Sequence, residues 1–131
     1  MKLVPELICT DFQTTKAFYI YVFGFKIKYE RIDERFAYFT LDGVDLMCEE
    51  LSGPGRRWLT GDMALPFGRG INFQWEVGDV HALYERIRTI QPEAIYMEIE
   101  EQSYLCGNKT LQQTQFIAQD PDGYLFRFCN L

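Results

Sequence analysis

Few side chains in this sequence are equipped to make or break bonds. The single histidine, His81, directly follows Asp79 and Val80 at the start of a helical pattern, where an exposed surface position is expected. With no second histidine, none of the four cysteines and no serine has an evident base to activate it. Cys9, Cys48, Cys106 and Cys129 lack Cys-x-x-Cys spacing, and three of them lie in apolar, strand-like runs. Free buried thiols in a reducing compartment are therefore expected. What stands out instead is Arg127, a charge in the middle of the apolar run from Tyr124 to Cys129. Around it the chain offers carboxylates for ion pairing and an unusual supply of aromatic rings.

Phe36, Tyr38, Trp58, Phe67, Phe73, Trp75, Tyr96 and Tyr104 exceed what a small core requires, and several fall in or beside flexible segments. Aromatic planes stack on flat heterocycles, and acidic neighbours suit a cationic tail. Net charge points the same way. Against 13 basic residues stand 19 acidic ones, a balance of −6 that supplies no basic stripe for a phosphate backbone and welcomes a cationic small molecule. At 131 residues, 47% hydrophobic, the chain is one domain by size with ample core. No apolar run reaches the roughly 20 residues that span a bilayer, and Met1 to Glu6 carry no signal-peptide core. A cytoplasmic protein with neither nucleic-acid nor membrane partners is expected.

The elements that must position these groups follow from periodicity. Leu3 to Cys9 reads as a strand; Asp11 caps a helix with Thr15, Phe18, Tyr19 and Val22 on one face, and Gly24 ends it. Two strands, Phe25 to Arg31 and Arg35 to Leu41, lead to the hairpin signal Asp42-Gly43 and a third strand, Val44 to Glu50. Residues 52–68, rich in glycine and proline, form a linker. The plan then repeats. Ile71 to Val77 is a strand, Asp79 caps a helix with Val80, Leu83, Ile87 and Ile90 as its apolar set, and Ala94 to Glu100 is a strand. A polar loop around Gly107 and Asn108 leads to Thr114 to Gln119, the turn Asp120 to Gly123, and a closing strand. Asp11 and Asp79 stand 68 positions apart, Asp42-Gly43 and Asp122-Gly123 80 apart, and a twelve-residue insertion at 101–112 absorbs the difference. The expectation is an internally duplicated α+β chain, with modules at 1–51 and 69–131.

Three stretches carry a family resemblance: Asp11-x-x-x-Thr15-x-x-Phe18-Tyr19 with Phe23-Gly24-Phe25, Pro66 to Gln74, and Asp120 to Phe128. They resemble the vicinal oxygen chelate superfamily of glyoxalases, extradiol dioxygenases and bleomycin resistance proteins, over nearly the whole chain. The middle stretch, preceded by Trp58-Leu59-Thr60-Gly61, is more similar to the bleomycin-resistance branch. The resemblance implies two paired βαβββ modules forming cupped mixed sheets, each enclosing a cavity. Resistance proteins are homodimers that sequester the drug in clefts between subunits, whereas the enzyme branches hold a divalent metal with His, Gln or Glu.

Carried over position by position, the metal ligands of those enzymes fall on Val4, Asn72, Arg127 and Glu49, with a slip to Glu50 left open. Valine cannot ligate, asparagine is weak and a guanidinium brings positive charge, so neither metal nor other cofactor is implied. Period-two alternation would turn Glu6 and Gln74 inward with Val4, Asn72 and Arg127, and put Glu49 on the face of Met47. A buried Arg127 would pair with Glu6 or Glu49. The ligand-binding set expected on this reading is Glu6, Phe36, Tyr38, Met47, Glu49, Trp58, Phe67, Asn72, Gln74, Tyr104 and Arg127. The function expected is metal-independent sequestration of an aromatic antibiotic, bleomycin-like drugs being the model, by a homodimer without catalysis. The alternatives are a metal-dependent lyase or dioxygenase, and an accessory binding protein with no resistance role.

Overall fold

The computed structural model describes residues Met1–Asn130, which divide into two compact units, Met1–Phe67 and Gly68 onward. Each runs strand, helix, three strands. The first contains β1 (Glu6–Cys9), α1 (Phe12–Tyr21), β2 (Lys26–Arg31), β3 (Phe36–Leu41) and β4 (Val44–Glu50), in the sheet order β1-β4-β3-β2. β1 and β4 are parallel and the other pairs antiparallel. The Asp11 carboxylate accepts from the Thr14 N–H at 3.0 Å, satisfying a free donor at the start of α1. Phe12, Thr15, Phe18 and Tyr19 are the buried residues of that helix. At the β3–β4 hairpin both Asp42 (φ 47°) and Gly43 (φ 86°) take positive φ, the two-residue geometry that matches the twist of the flanking strands.

One face of this sheet packs on α1. The Phe39 ring lies 5.4 Å from Tyr19 and 6.1 Å from Phe25, and register places Leu7, Cys9, Ala37, Leu46 and Cys48 on the same side. All are buried. The opposite face carries the candidate site.

The second unit contains β5 (Asn72–Val77), α2 (Val80–Ile90), β6 (Ile95–Cys106), β7 (Lys109–Gln119) and β8 (Leu125–Asn130), in the order β5-β8-β7-β6. Its core is an aromatic cluster between sheet and helix: Tyr84 edge-on to Phe116 at 5.1 Å, Phe116 stacked on Phe128 at 5.1 Å, and tilted contacts of Trp75 with Phe128 at 5.1 Å and of Phe73 with Phe126 at 5.3 Å. The turn before β8 is tied by Asp120, whose Oδ1 accepts from the N–H groups of Asp122, Gly123 and Tyr124, each at 2.9 Å. Among the described residues no helix is long and apolar enough to cross a membrane.

Several expectations need correction. The 101–112 insertion is not a loop: β6 and β7 continue through it, pairing Gln102 with Gln113, Tyr104 with Leu111 and Cys106 with Lys109. Every residue from Glu101 to Gln112 is exposed, so neither face needs apolar side chains and the alternation that announces a strand is missing. Cys106 is consequently exposed, while the other three thiols are buried. In α2 the third and fourth expected core positions diverge. Ile87 is buried but Ile90 is 51% exposed, and Tyr84 joins Val80 and Ile87 instead. β1 begins at Glu6 rather than Leu3, leaving Val4 outside the strand.

A prediction arises at Gly68. Its φ is +74°, and a Cβ there would lie 2.5 Å from Cδ1 of the buried Tyr124 ring. Gly68→Ala combines left-handed strain with overpacking, and a loss of about 2–3 kcal/mol is expected by thermal unfolding.

Candidate functional site

In the first unit, register sets the face away from α1. Glu6 stands opposite Met47, Tyr38 opposite Met47, and Phe36 opposite Glu49. Five of the expected binding residues, Glu6, Phe36, Tyr38, Met47 and Glu49, therefore share one surface. Glu50 does not: it lies on the helix side, where it accepts from the Phe12 N–H at 2.9 Å and pairs with Arg35 at 2.9 Å.

Tyr29, absent from the expected set, completes an aromatic wall on that surface. Its ring stacks on Tyr38 at 5.0 Å with 25° between planes and lies 6.0 Å from Phe36. The Lys28 ammonium sits 5.0 Å from the Tyr38 ring and the Arg31 guanidinium 4.0 Å from Phe36, so these rings already attract cations. Asp45 anchors the wall. Its carboxylate accepts from the Tyr38 hydroxyl at 2.5 Å and the Thr40 hydroxyl at 2.6 Å, and forms an ion pair with Lys2. Lys2, then Thr40 and Tyr38, hold that carboxyl well below the usual carboxylate range, and the bond to Asp45 pushes the Tyr38 phenol up.

Glu49 is only 4% exposed. Burial, then the charge of Glu6, pushes its carboxyl above the ordinary value, against the opposing pull of Arg57. The segment after β4 folds over it. Gly55 approaches so closely that a Cβ there would fall 1.9 Å from Glu49 Oε1. Arg57 fixes the segment by donating to the carbonyls of Gly53 (2.5 Å) and Gly55 (3.0 Å), with its Nη1 3.8 Å from Glu49. Within the first unit the cation facing Glu49 is Arg57. In the same segment Trp58 is 73% exposed beneath the Arg56 guanidinium at 4.2 Å, whereas Phe67 is buried; so are Phe36 and Tyr38 on the wall, which leaves Tyr29 as the open ring of the wall and Trp58 as that of the segment.

The second unit groups Asn72, Gln74 and Arg127 on its face away from α2: Gln74 and Ile117 both stand opposite Arg127, and Asn72 opposite Leu125. Asn72 and Gln74 are exposed and Arg127 half-buried. Tyr104, 37% exposed, accepts a hydrogen bond from Gln115 at 2.7 Å. Phe73 and Trp75, half-buried, belong to the core aromatic cluster, and Tyr96 is 60% exposed.

The family model of the glyoxalase/bleomycin resistance protein/dioxygenase superfamily matches residues 4–128. The chain belongs to this superfamily. A superfamily member from Vibrio splendidus 12B01 is 43% identical, covering 96% of this chain and 95% of its own, with a TM-score of 0.46. TioX from Micromonospora sp. ML1 is 19% identical with a TM-score of 0.68, covering 99% of this chain and 98% of its own. A bleomycin resistance determinant encoded on the transposon Tn5 is 21% identical with a TM-score of 0.63, covering 99% and 97%. No curated protein matches.

Enzymes of the superfamily use a divalent metal, and the donors of this member do not fit one. Among the described residues no three of His, Cys, Asp and Glu are grouped to hold an ion. Glu6 and Glu49 leave such an ion short of the four to six donors it takes, and Val4 lies outside β1 altogether. His81 is exposed on α2. What this superfamily member presents on its first unit is an aromatic wall beside a carboxyl pair.

Proposed function

We propose that this superfamily member binds and sequesters a flat aromatic ligand bearing a cationic group, without a metal and without transforming it. The observation that carries the reading is the shared face of the first unit, where the stacked rings of Tyr29 and Tyr38 adjoin Phe36 and the Glu6 and Glu49 carboxyls. Stacking on such a wall favours planar heterocycles, and a partly desolvated carboxylate rewards a neighbouring positive charge. In this reading the protein acts as a cytoplasmic homodimer, the ligand lying in a cleft completed by the partner subunit, and bleomycin-type drugs are the first candidates. A bleomycin resistance determinant encoded on Tn5 shares this fold, which supports that choice.

Calorimetric titration with metal-free bleomycin, repeated with the copper-loaded drug, tests it. Saturable binding near one drug per chain, lost in Tyr38→Ala and weakened in Trp58→Ala, is the expected outcome. Absence of heat with either form would overturn the drug assignment, and stoichiometric metal in the purified protein would overturn metal independence. Binding without protection of cells that express the protein would favour an accessory role over resistance.

A further inference from the structure

Gln115 on β7 is 4% exposed, and its side chain points to the face away from α2, opposite Cys129 and Glu100. Its Nε2 donates twice, to Glu100 Oε1 at 3.1 Å and to the Tyr104 hydroxyl at 2.7 Å. Because a carboxylate only accepts, Glu100 fixes which end of the amide is which: the flipped amide would set oxygen against oxygen. The Oε1 atom is left buried with no donor. Glu30 Oε2 is likewise without a hydrogen bond, but it lies 2.8 Å from the Lys16 ammonium and is compensated as an ion pair. Nothing comparable serves Gln115. Native proteins seldom leave such an acceptor unmatched, and where they do a ligand or water commonly completes it.

The cover over this amide is Tyr104, on the exposed part of the β6–β7 hairpin. Its hydroxyl takes one of the two Nε2 protons and supplies nothing to Oε1. We propose that Gln115 is the recognition point for a carboxamide, whose carbonyl replaces the Tyr104 hydroxyl on Nε2 and whose N–H supplies the donor that Oε1 lacks. An ester could take the first bond but not give the second. A carboxylate would in addition face Glu100. Ile117, two residues along β7 on the same face and half-buried, offers an apolar surface for a ring attached to the amide. Every group invoked lies in the second unit, so the inference goes beyond the aromatic site of the first unit and stands or falls without it.

The probe is benzamide, with methyl benzoate and benzoate as isosteric controls, titrated into the full-length 15N-labelled protein and followed at the Gln115 side-chain amide resonances. Benzamide is expected to shift these saturably while the two controls, at equal concentration, do not. Tyr104→Phe removes the competing hydroxyl and should tighten benzamide binding about three-fold, the worth of one ordinary hydrogen bond; Gln115→Leu should abolish it. Equal responses to amide and ester, no response of Gln115 to benzamide, or unchanged or weaker binding in Tyr104→Phe would each overturn the proposal. None of these three readings depends on Gln115→Leu folding.

Discussion

Replacing Phe39 by alanine is expected to cost about 3–5 kcal/mol of stability, the range for truncating a buried ring. Phe39 is fully buried on β3, between β2 and β4, and its ring meets Tyr19 and Phe25. Tyr19 is in turn packed by Phe18 at 5.7 Å and Phe23 at 5.6 Å, so these rings have no slack with which to close the cavity. The same strand carries Phe36 and Tyr38, which makes this packing the base on which the candidate site rests. Urea unfolding is the measurement, with a lowered midpoint and an unchanged slope expected. Tyr29→Ala is the contrast: 45% exposed on the far face, it should cost less than about 1 kcal/mol while removing one ring of the binding wall. Equal losses from the two variants would show that the faces have been assigned wrongly.

Replacing Glu49 by glutamine is expected to move binding and stability in opposite directions. Affinity for a cationic aromatic ligand should fall about ten-fold or more, because a charge-assisted contact becomes a neutral one, while a neutral analogue is scarcely affected. The pH dependence follows from the raised carboxyl. Cation binding needs the ionised form, so in the parent protein it is present at pH above the elevated folded value and fades as pH falls through it. Stability runs the other way. A carboxyl whose folded pKa is raised contributes most below its unfolded value, and that contribution is lost as pH rises through the folded one. At neutral pH Glu49→Gln should therefore unfold at a higher temperature than the parent, an increase moderated by the loss of its attraction to Arg57. Titrations and melts at matched pH values test both halves, and a variant that is both less stable and undiminished in cation binding would refute the role given to this carboxyl.

Much of the framework could be read from local chemistry. Asp11 and Asp79 cap their helices through bonds to Thr14 and Ala82, and Asp42-Gly43 makes its hairpin, because each depends on residues within a few positions along the chain. Alternation likewise put Phe126 and Phe128 on the buried side of β8 and Arg127 on the other. It failed where its physical premise failed. The strands through 101–112 have two wet faces and so no apolar period, and Ile90 fits the helical spacing of α2 but is exposed at its last residue, while Ile87 one turn earlier is buried.

The sequence alone determined the superfamily and the plan of two βαβββ modules, and alternation set Glu49 with Met47 while leaving a slip to Glu50 open; register across β1, β4 and β3 then brought Glu6, Phe36, Tyr38, Met47 and Glu49 to one face. Tertiary structure decided what completes that face and its counterpart. Between Ile27 and Tyr29 a bulge sets two steps of β2 against one of β3, turning Tyr29 away from the side of Ile27 and onto Tyr38. Similar shifts along β6 bring Glu100 opposite Gln115, and only a folded segment can carry Arg57 back over Glu49. Bulges and chain reversals of this kind are set by how neighbouring strands pack, and an amino-acid pattern with period two has no place to record them.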